Sequence, residues 1–144
     1  METELQAVVD DLLASVGASR ATVRLEAPGD RFFPVVAEST APGVREIRHE
    51  TGIDLRAAPT FRQLERTLDL LVQDDLLATE TPPPPELVER YGARAQMLAP
   101  VVRDGRMIGF VSVHHGPDAR VWSVEEVAAI RAAAVRVEAL LLHR

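Results

Sequence analysis

Residues 95–115 read AQMLAPVVRDGRMIGFVSVHH. Two aliphatic runs, 95–103 and 106–115, flank Asp104-Gly105, a dipeptide suited to the positive backbone angles of a two-residue hairpin turn. The stretch therefore predicts an antiparallel pair of strands. Alternation divides the second strand into two faces. Met107, Gly109, Val111, Val113 and His115 make the more uniformly aliphatic one, expected to carry helices. Ile108, Phe110, Ser112 and His114 make the other, where an aromatic ring, a hydroxyl and an imidazole suit a cavity with a few polar groups.

Downstream, Ser123-Val124-Glu125-Glu126 has the form of a capping box. The serine hydroxyl accepts from the amide three residues on, and Glu126 reaches back to the serine amide. Trp122 stands at the position where a hydrophobic staple belongs. Val127, Ile130, Ala134, Val137 and Leu141 then recur at three- and four-residue steps, which predicts a long helix with one apolar stripe. Arg131, Arg136 and Arg144, with Glu138 among them, read as its solvated face.

Upstream, Leu5, Val8, Val9, Leu12, Leu13 and Val16 give residues 3–16 helical spacing, with Asp10 and Asp11 opposite and Gly17 as the stop. Residues 20–26 alternate as a half-buried strand, Ala21, Val23 and Leu25 toward the helices and Thr22, Arg24 and Glu26 toward the other side. The tetrad APGD at 27–30 turns the chain into a partner strand at 33–38. Residues 39–58 carry turn formers. A short helix at 60–67 would use Thr60 as its N-cap. Residues 68–73 fit either a strand or a continuation of that helix. The proline-rich run before Gly92 reads as an internal loop with one or two helical turns.

These elements predict an α+β domain: an antiparallel sheet of five to six strands, terminal helices on one face, and a segment of short helices and loops over the other. At 144 residues the chain fits one domain spanning 1–144. Aromatic residues make up only 4%, so the core must be aliphatic. A net charge of -6 with scattered arginines argues against nucleic acid as a partner. No cysteine is present, which removes disulfides, thiolate metal sites and thiol nucleophiles. The acidic amphipathic N-terminus lacks signal-peptide form, and no window approaches the roughly 18 apolar residues of a membrane span. The expectation is a cytoplasmic protein with no membrane partner.

The run from Met97 through the C-terminal helix resembles the second half of a GAF domain. The features that carry the resemblance are Pro100, the Asp104-Gly105 turn, Ile108-Gly109-Phe110-Val111, Trp122, Ser123 and the helix to about Leu142. The first half agrees more loosely, through its leading helix, two strands and the Asp74-Asp75 pair. The resemblance implies a small molecule held between the sheet and the irregular middle, with its presence relayed through the terminal helices, often across a dimer. Specialised branches fit less well. Without cysteine a bilin has no thioether anchor and sulfoxide-reductase chemistry has no thiol, and the Asn-Lys-Phe-Asp-Glu run of cyclic-nucleotide-binding members is missing.

The candidate ligand-binding residues are Arg24, Glu38, Tyr91, Phe110, Ser112 and His114. Arg24 offers a permanently charged fork for a carboxylate or phosphate. The alternative is that it pairs with Glu38 on the next strand or faces water. Tyr91 either lines the pocket or simply packs. His114 and His115 point to opposite faces of a regular strand, so they cannot share a metal ion, and His49 and His143 stand far off in sequence. Asp74 and Asp75 read as chain-turning acids rather than an acid–base pair. No nucleophile elbow or phosphate loop is present. The expected function is a stand-alone, homodimeric small-molecule sensor with no cofactor and no catalytic residues. A filled interaction module, or an enzyme using His114 as general base, are the other readings.

Overall fold

A computed structural model describes residues 1–27, 33–50 and 52–142. Residues 28–30 of the expected APGD turn, and His143, lie outside the described residues. Helix α1 (Glu2–Val16) leads into β1 (Arg20–Leu25) and β2 (Val35–Thr40). A single 3-10 turn (Leu55–Ala57), α2 (Pro59–Thr67), the short β3 (Leu71–Gln73) and α3 (Pro85–Glu89) follow. The chain closes with β4 (Ala95–Arg103), β5 (Arg106–His115) and α4 (Val124–Leu142). The five strands form one sheet in the order β2-β1-β5-β4-β3, every pair antiparallel.

Local chemistry explains the boundaries. Gly17 ends α1 in the left-handed conformation at φ 67°, with its amide donating to Leu13 O. Asp104 and Gly105 both take positive φ, 53° and 74°, as the β4–β5 hairpin requires. The capping box is present: Glu126 N donates to Ser123 Oγ at 3.1 Å, and Ser123 N to Glu126 Oε1 at 2.8 Å. Trp122 is buried, and its indole Nε1 also donates to Gln73 O at 3.0 Å. The tryptophan thus ties the start of α4 to the edge strand β3.

Helices α1 and α4 pack on one face of the sheet around an aliphatic core that includes Val9, Leu12, Val23, Val111, Ile130 and Val137. A second apolar cluster fills the opposite face, with Phe33, Ile47, Phe61, Leu64, Leu87 and Phe110 among its members. It draws on the irregular segment that covers the sheet like a roof. Because both faces are covered, β1 is buried at all six positions rather than half-buried.

Several expectations need correction. Strand β2 begins at Val35, and Phe33 instead turns into the roof cluster. Ala58, not Thr60, is the N-cap of α2, since Pro59 occupies the first helical turn and places Thr60 inside it. Leu68 ends α2 at φ 52°, which resolves residues 71–73 as strand. Glu26 lies past the end of β1 and pairs at the surface with Arg106 at 2.8 Å, away from the cavity. In β5 the strict alternation fails at one point. Val101 pairs with Gly109 but Val102 pairs with Met107, so Ile108 is a bulge residue. The bulge sends Ile108 to the helix side and Met107 to the roof cluster, while Phe110, Ser112 and His114 keep the expected face. Among the described residues, no helix is long and apolar enough to cross a membrane.

Candidate functional site

Strand register assembles the polar residues. Arg20 stands opposite His114, which stands opposite Gln96, which stands opposite Gln73. The next row toward the roof centre is Glu38, Thr22, Ser112 and Leu98, and the third pairs Arg24 with Phe110. Side chains of paired residues share a face, so these rows place two guanidiniums, a carboxylate, an imidazole, two hydroxyls and two amides under the roof. All of them are buried.

Between this polar floor and the roof lies a cavity of about 30 Å³, room for about two waters. Arg24, Gln96, Ser112 and His114 line it from the sheet, and Thr60, Phe61 and Leu87 are among its roof residues. Phe61 and Phe110 line one side with Phe33 packed against them, Phe61 standing 5.2 Å from Phe33 and 6.1 Å from Phe110, ring centre to ring centre. A separate, more open cleft of about 240 Å³ lies beyond Arg20 and His114, bounded by Arg45, Tyr91 and the Gly116-Pro117 segment.

Most of the polar groups are already engaged. Glu38 accepts from the amides of Ile47 at 2.8 Å and Arg48 at 3.0 Å, which pins the start of the roof to the sheet. Its partner is Arg20, whose Nε lies 3.2 Å from Oε2 in an ion-pair contact without hydrogen-bond alignment. Arg20 also donates to Arg45 O at 2.5 Å and lies 3.3 Å from His114 Nδ1. Thr22 and Ser112 share a short hydroxyl–hydroxyl contact. Gln96 donates to Gln73 Oε1 at 2.7 Å, and Gln73 donates in turn to Thr79 Oγ1 and Thr81 O.

Arg24 differs. It donates from Nη1 to Phe33 O at 2.9 Å and has no carboxylate in contact among the described residues. Burial pulls its pKa down to about 10, against the favourable influence of Glu38 and Tyr91. Burial also drives the His114 pKa well below 6.5, reinforced by the charges of Arg20 and Arg24, so the ring is neutral at physiological pH. The floor therefore holds two guanidiniums against one carboxylate.

Of the six residues expected at the site, Arg24, Phe110, Ser112 and His114 line the cavity. Glu38 is set back behind Arg20. Tyr91 faces the outer cleft, its ring 5.5 Å from the Arg20 guanidinium and 5.2 Å from that of Arg45. The Arg24–Glu38 pairing is not formed, because Arg20 occupies that place. Arg20 lies on the same alternating face as Thr22 and Arg24, so the strand pattern contained it. Gln96 was equally accessible from alternation in 95–103, whereas Thr60 had no signal beyond its resemblance to a cap. The two histidines diverge: His115 meets Arg120 at 3.4 Å and the edge of Trp122, on the side away from His114. Asp75 pairs with Arg94 at 2.8 Å, and Asp74 accepts from Trp122 and Arg120 amides. Those two acids are structural.

The sequence description of the GAF domain matches residues 1–141. The chain belongs to the GAF family. Solved GAF structures share its fold at low identity. One is the GAF domain of the cyanobacteriochrome PixJ from Thermosynechococcus elongatus in its blue-light-absorbing form, with a TM-score of 0.75 at 19% identity over 98% of this chain and 86% of that one. Another is the chromophore-binding domain of the bacteriophytochrome RpBphP3 from R. palustris, with a TM-score of 0.79 at 19% identity over 97% of this chain and 55% of that one. The corresponding domain of Stigmatella aurantiaca bacteriophytochrome gives 0.79 at 17%, over 100% and 55%. Comparison with curated proteins finds no match. Against this background, the GAF sheet and its roof enclose a small polar-floored cavity, and the terminal helices lie on the reverse face of the same strands.

Proposed function

We propose that this GAF domain, read as one unit over the chain, is a sensory module that binds a small molecule between its sheet and the roof formed by residues 44–50, 52–67 and 82–91. The observation that carries the reading is the cavity itself, with a buried polar floor under an apolar cover, the usual composition of a ligand pocket. That chromophore-binding domains of bacteriophytochromes share this fold supports a ligand-binding role. Arg24, Phe110, Ser112 and His114 contact the ligand, while Glu38 and Tyr91 position Arg20 and the roof around it. A cavity of this size accepts a larger molecule only when the roof moves, and Glu38 and Arg20 hold the first roof residues through their backbone. Roof movement thus reaches β1 and β2, on which α1 packs.

The output is a homodimer joined through α4. Its inward residues Ile130, Ala134, Val137 and Leu141 are consumed by the core, yet the opposite side carries Val124, Ala128, Ala132, Val135, Ala139 and Leu142, all exposed at three- and four-residue steps. Val124 is 83% exposed and Leu142 74%. A helix apolar on both sides calls for a second cover. A second copy fits, because antiparallel pairing sets Arg131 of each copy beside Glu138 of the other, whereas parallel pairing sets Arg131 beside Arg136. His114 serves to hold rather than to abstract protons, being neutral with Nδ1 engaged by Arg20. A cytoplasmic setting suits the cysteine-free composition. The test is a thermal-shift screen of organic acids, nucleotides and neutral aromatics, with hydrogen exchange of residues 44–64 as the second readout. Stabilisation with slowed exchange in the roof is expected. A screen silent in both readouts would refute the sensory role.

A further inference from the structure

We infer that the ligand is a small apolar molecule with a single carboxylate head, received by Arg24. The inference rests on the sensory reading and specifies the chemistry of that site. Arg20 and Arg24 bring two permanent positive charges beneath the roof, and Glu38 supplies one negative charge. His114 adds none. Glu38 is committed to Arg20 and to the Ile47 and Arg48 amides, so among the described residues the surplus charge resides on Arg24. Buried charge is costly unless it is paired, and Arg24 is 9% exposed with a backbone carbonyl as its hydrogen-bond partner.

The missing partner is one negative charge, because a dianion would overshoot and leave a surplus of the opposite sign in the same apolar surroundings. A guanidinium presents its N–H groups as a planar fork, which matches a carboxylate in bidentate fashion. Ser112 lies in the adjacent row and His114 in the row beyond, both on the cavity wall. The rest of the wall is mostly apolar, with Phe61, Leu64, Leu87, Leu98 and Phe110 in it. Of its two other polar residues, Thr60 and Gln96, the Gln96 amide already donates to Gln73, so the wall admits hydrocarbon and offers little to a polar body. The result is a head-and-body site: charge recognition at Arg24 and burial of a short aliphatic or single aromatic body under the roof.

Isothermal calorimetry with benzoate and hexanoate, against benzamide and hexanamide, tests the charge directly. The amides keep shape and volume and remove the negative charge. The acids are expected to bind more tightly than their amides by about tenfold or more, as for a charge-assisted contact. R24Q is expected to erase that difference, and R24K to retain part of it through its point charge. Circular dichroism melts confirm that both variants fold. Equal binding of acids and amides, or undiminished acid binding by R24Q, overturns the inference and leaves the sensory role standing. Acids and amides both failing while another class in the broader screen binds also overturns it. Failure of every class removes the sensory role itself.

Discussion

Arg20 Nη1 stands 3.3 Å from His114 Nδ1 across adjacent strands. A guanidinium only donates, so the imidazole accepts at Nδ1 and carries its proton on Nε2. One arginine thereby fixes the tautomer of the histidine, faces Glu38, and holds the backbone of Arg45 at the rim of the roof. The ligand face and the first roof residues are coupled through this side chain.

The pairing has a consequence for acid stability. In the folded chain the His114 pKa lies well below 6.5, chiefly through burial, and the unfolded chain titrates near that ordinary value. Below about pH 6.5 the unfolded chain binds a proton that the folded chain refuses, so stability is complete above that pH and declines as pH falls. His115, lowered by partial burial and Arg120, adds to the same slope. Urea midpoints from about pH 7.5 to about pH 5 should fall, and H114N should flatten the decline. In histidine NMR spectra the His114 ring should remain neutral across this range.

The two buried arginines should respond oppositely to removal. R20M strands the Glu38 carboxylate in a buried site and should cost about 3 kcal/mol in chemical denaturation. R24M removes a cation with no carboxylate in contact among the described residues, and should be neutral or stabilise by about 1 kcal/mol. Equal losses in the two variants would contradict the charge distribution described for the cavity.

Gly109 is required by close strand approach. A Cβ at this position would run into the Arg24 carbonyl oxygen and the Leu25 side chain. Since the main obstacle is backbone, it cannot rotate away, and G109A should cost about 2 kcal/mol or more. The same substitution should weaken acid binding by displacing Arg24, which calorimetry on the folded fraction would show.

The outer stripe of α4 makes a prediction about assembly. Wild-type protein should run as a dimer in sedimentation velocity, and A132E with V135E should run as a monomer. Both positions are exposed, Val135 at 64%, so the fold itself should melt within a few degrees of wild type. A monomeric wild type at micromolar concentration would remove α4 as the dimer contact.

Much of this architecture was legible along the chain. The Asp104-Gly105 turn, the Ile108-Gly109-Phe110-Val111 run and the Ser123–Glu126 box each depend on interactions spanning a few residues, so their chemistry can be read locally. Alternation likewise placed Arg24, Ser112 and His114 on one face. The bulge at Ile108 was not legible, since it arises from how β4 and β5 align over their whole length. Nor was the partner of Glu38: Arg20 and Arg24 occupy the same face four residues apart, on either side of the Thr22 that stands opposite Glu38, and only the packing of the folded chain chooses between them.

The sequence by itself determined the elements, the turn and cap chemistry, and which residues share a sheet face, because those follow from backbone periodicities of two and 3.6 residues. Tertiary structure alone decided which charges are satisfied. Residues 47–50 and 52–64 fold back over the sheet, bury the polar floor, and bring Ile47 and Arg48 amides to Glu38. Burial and pairing are properties of neighbours distant in sequence. They made Arg20 a structural ion and left Arg24 to face the cavity.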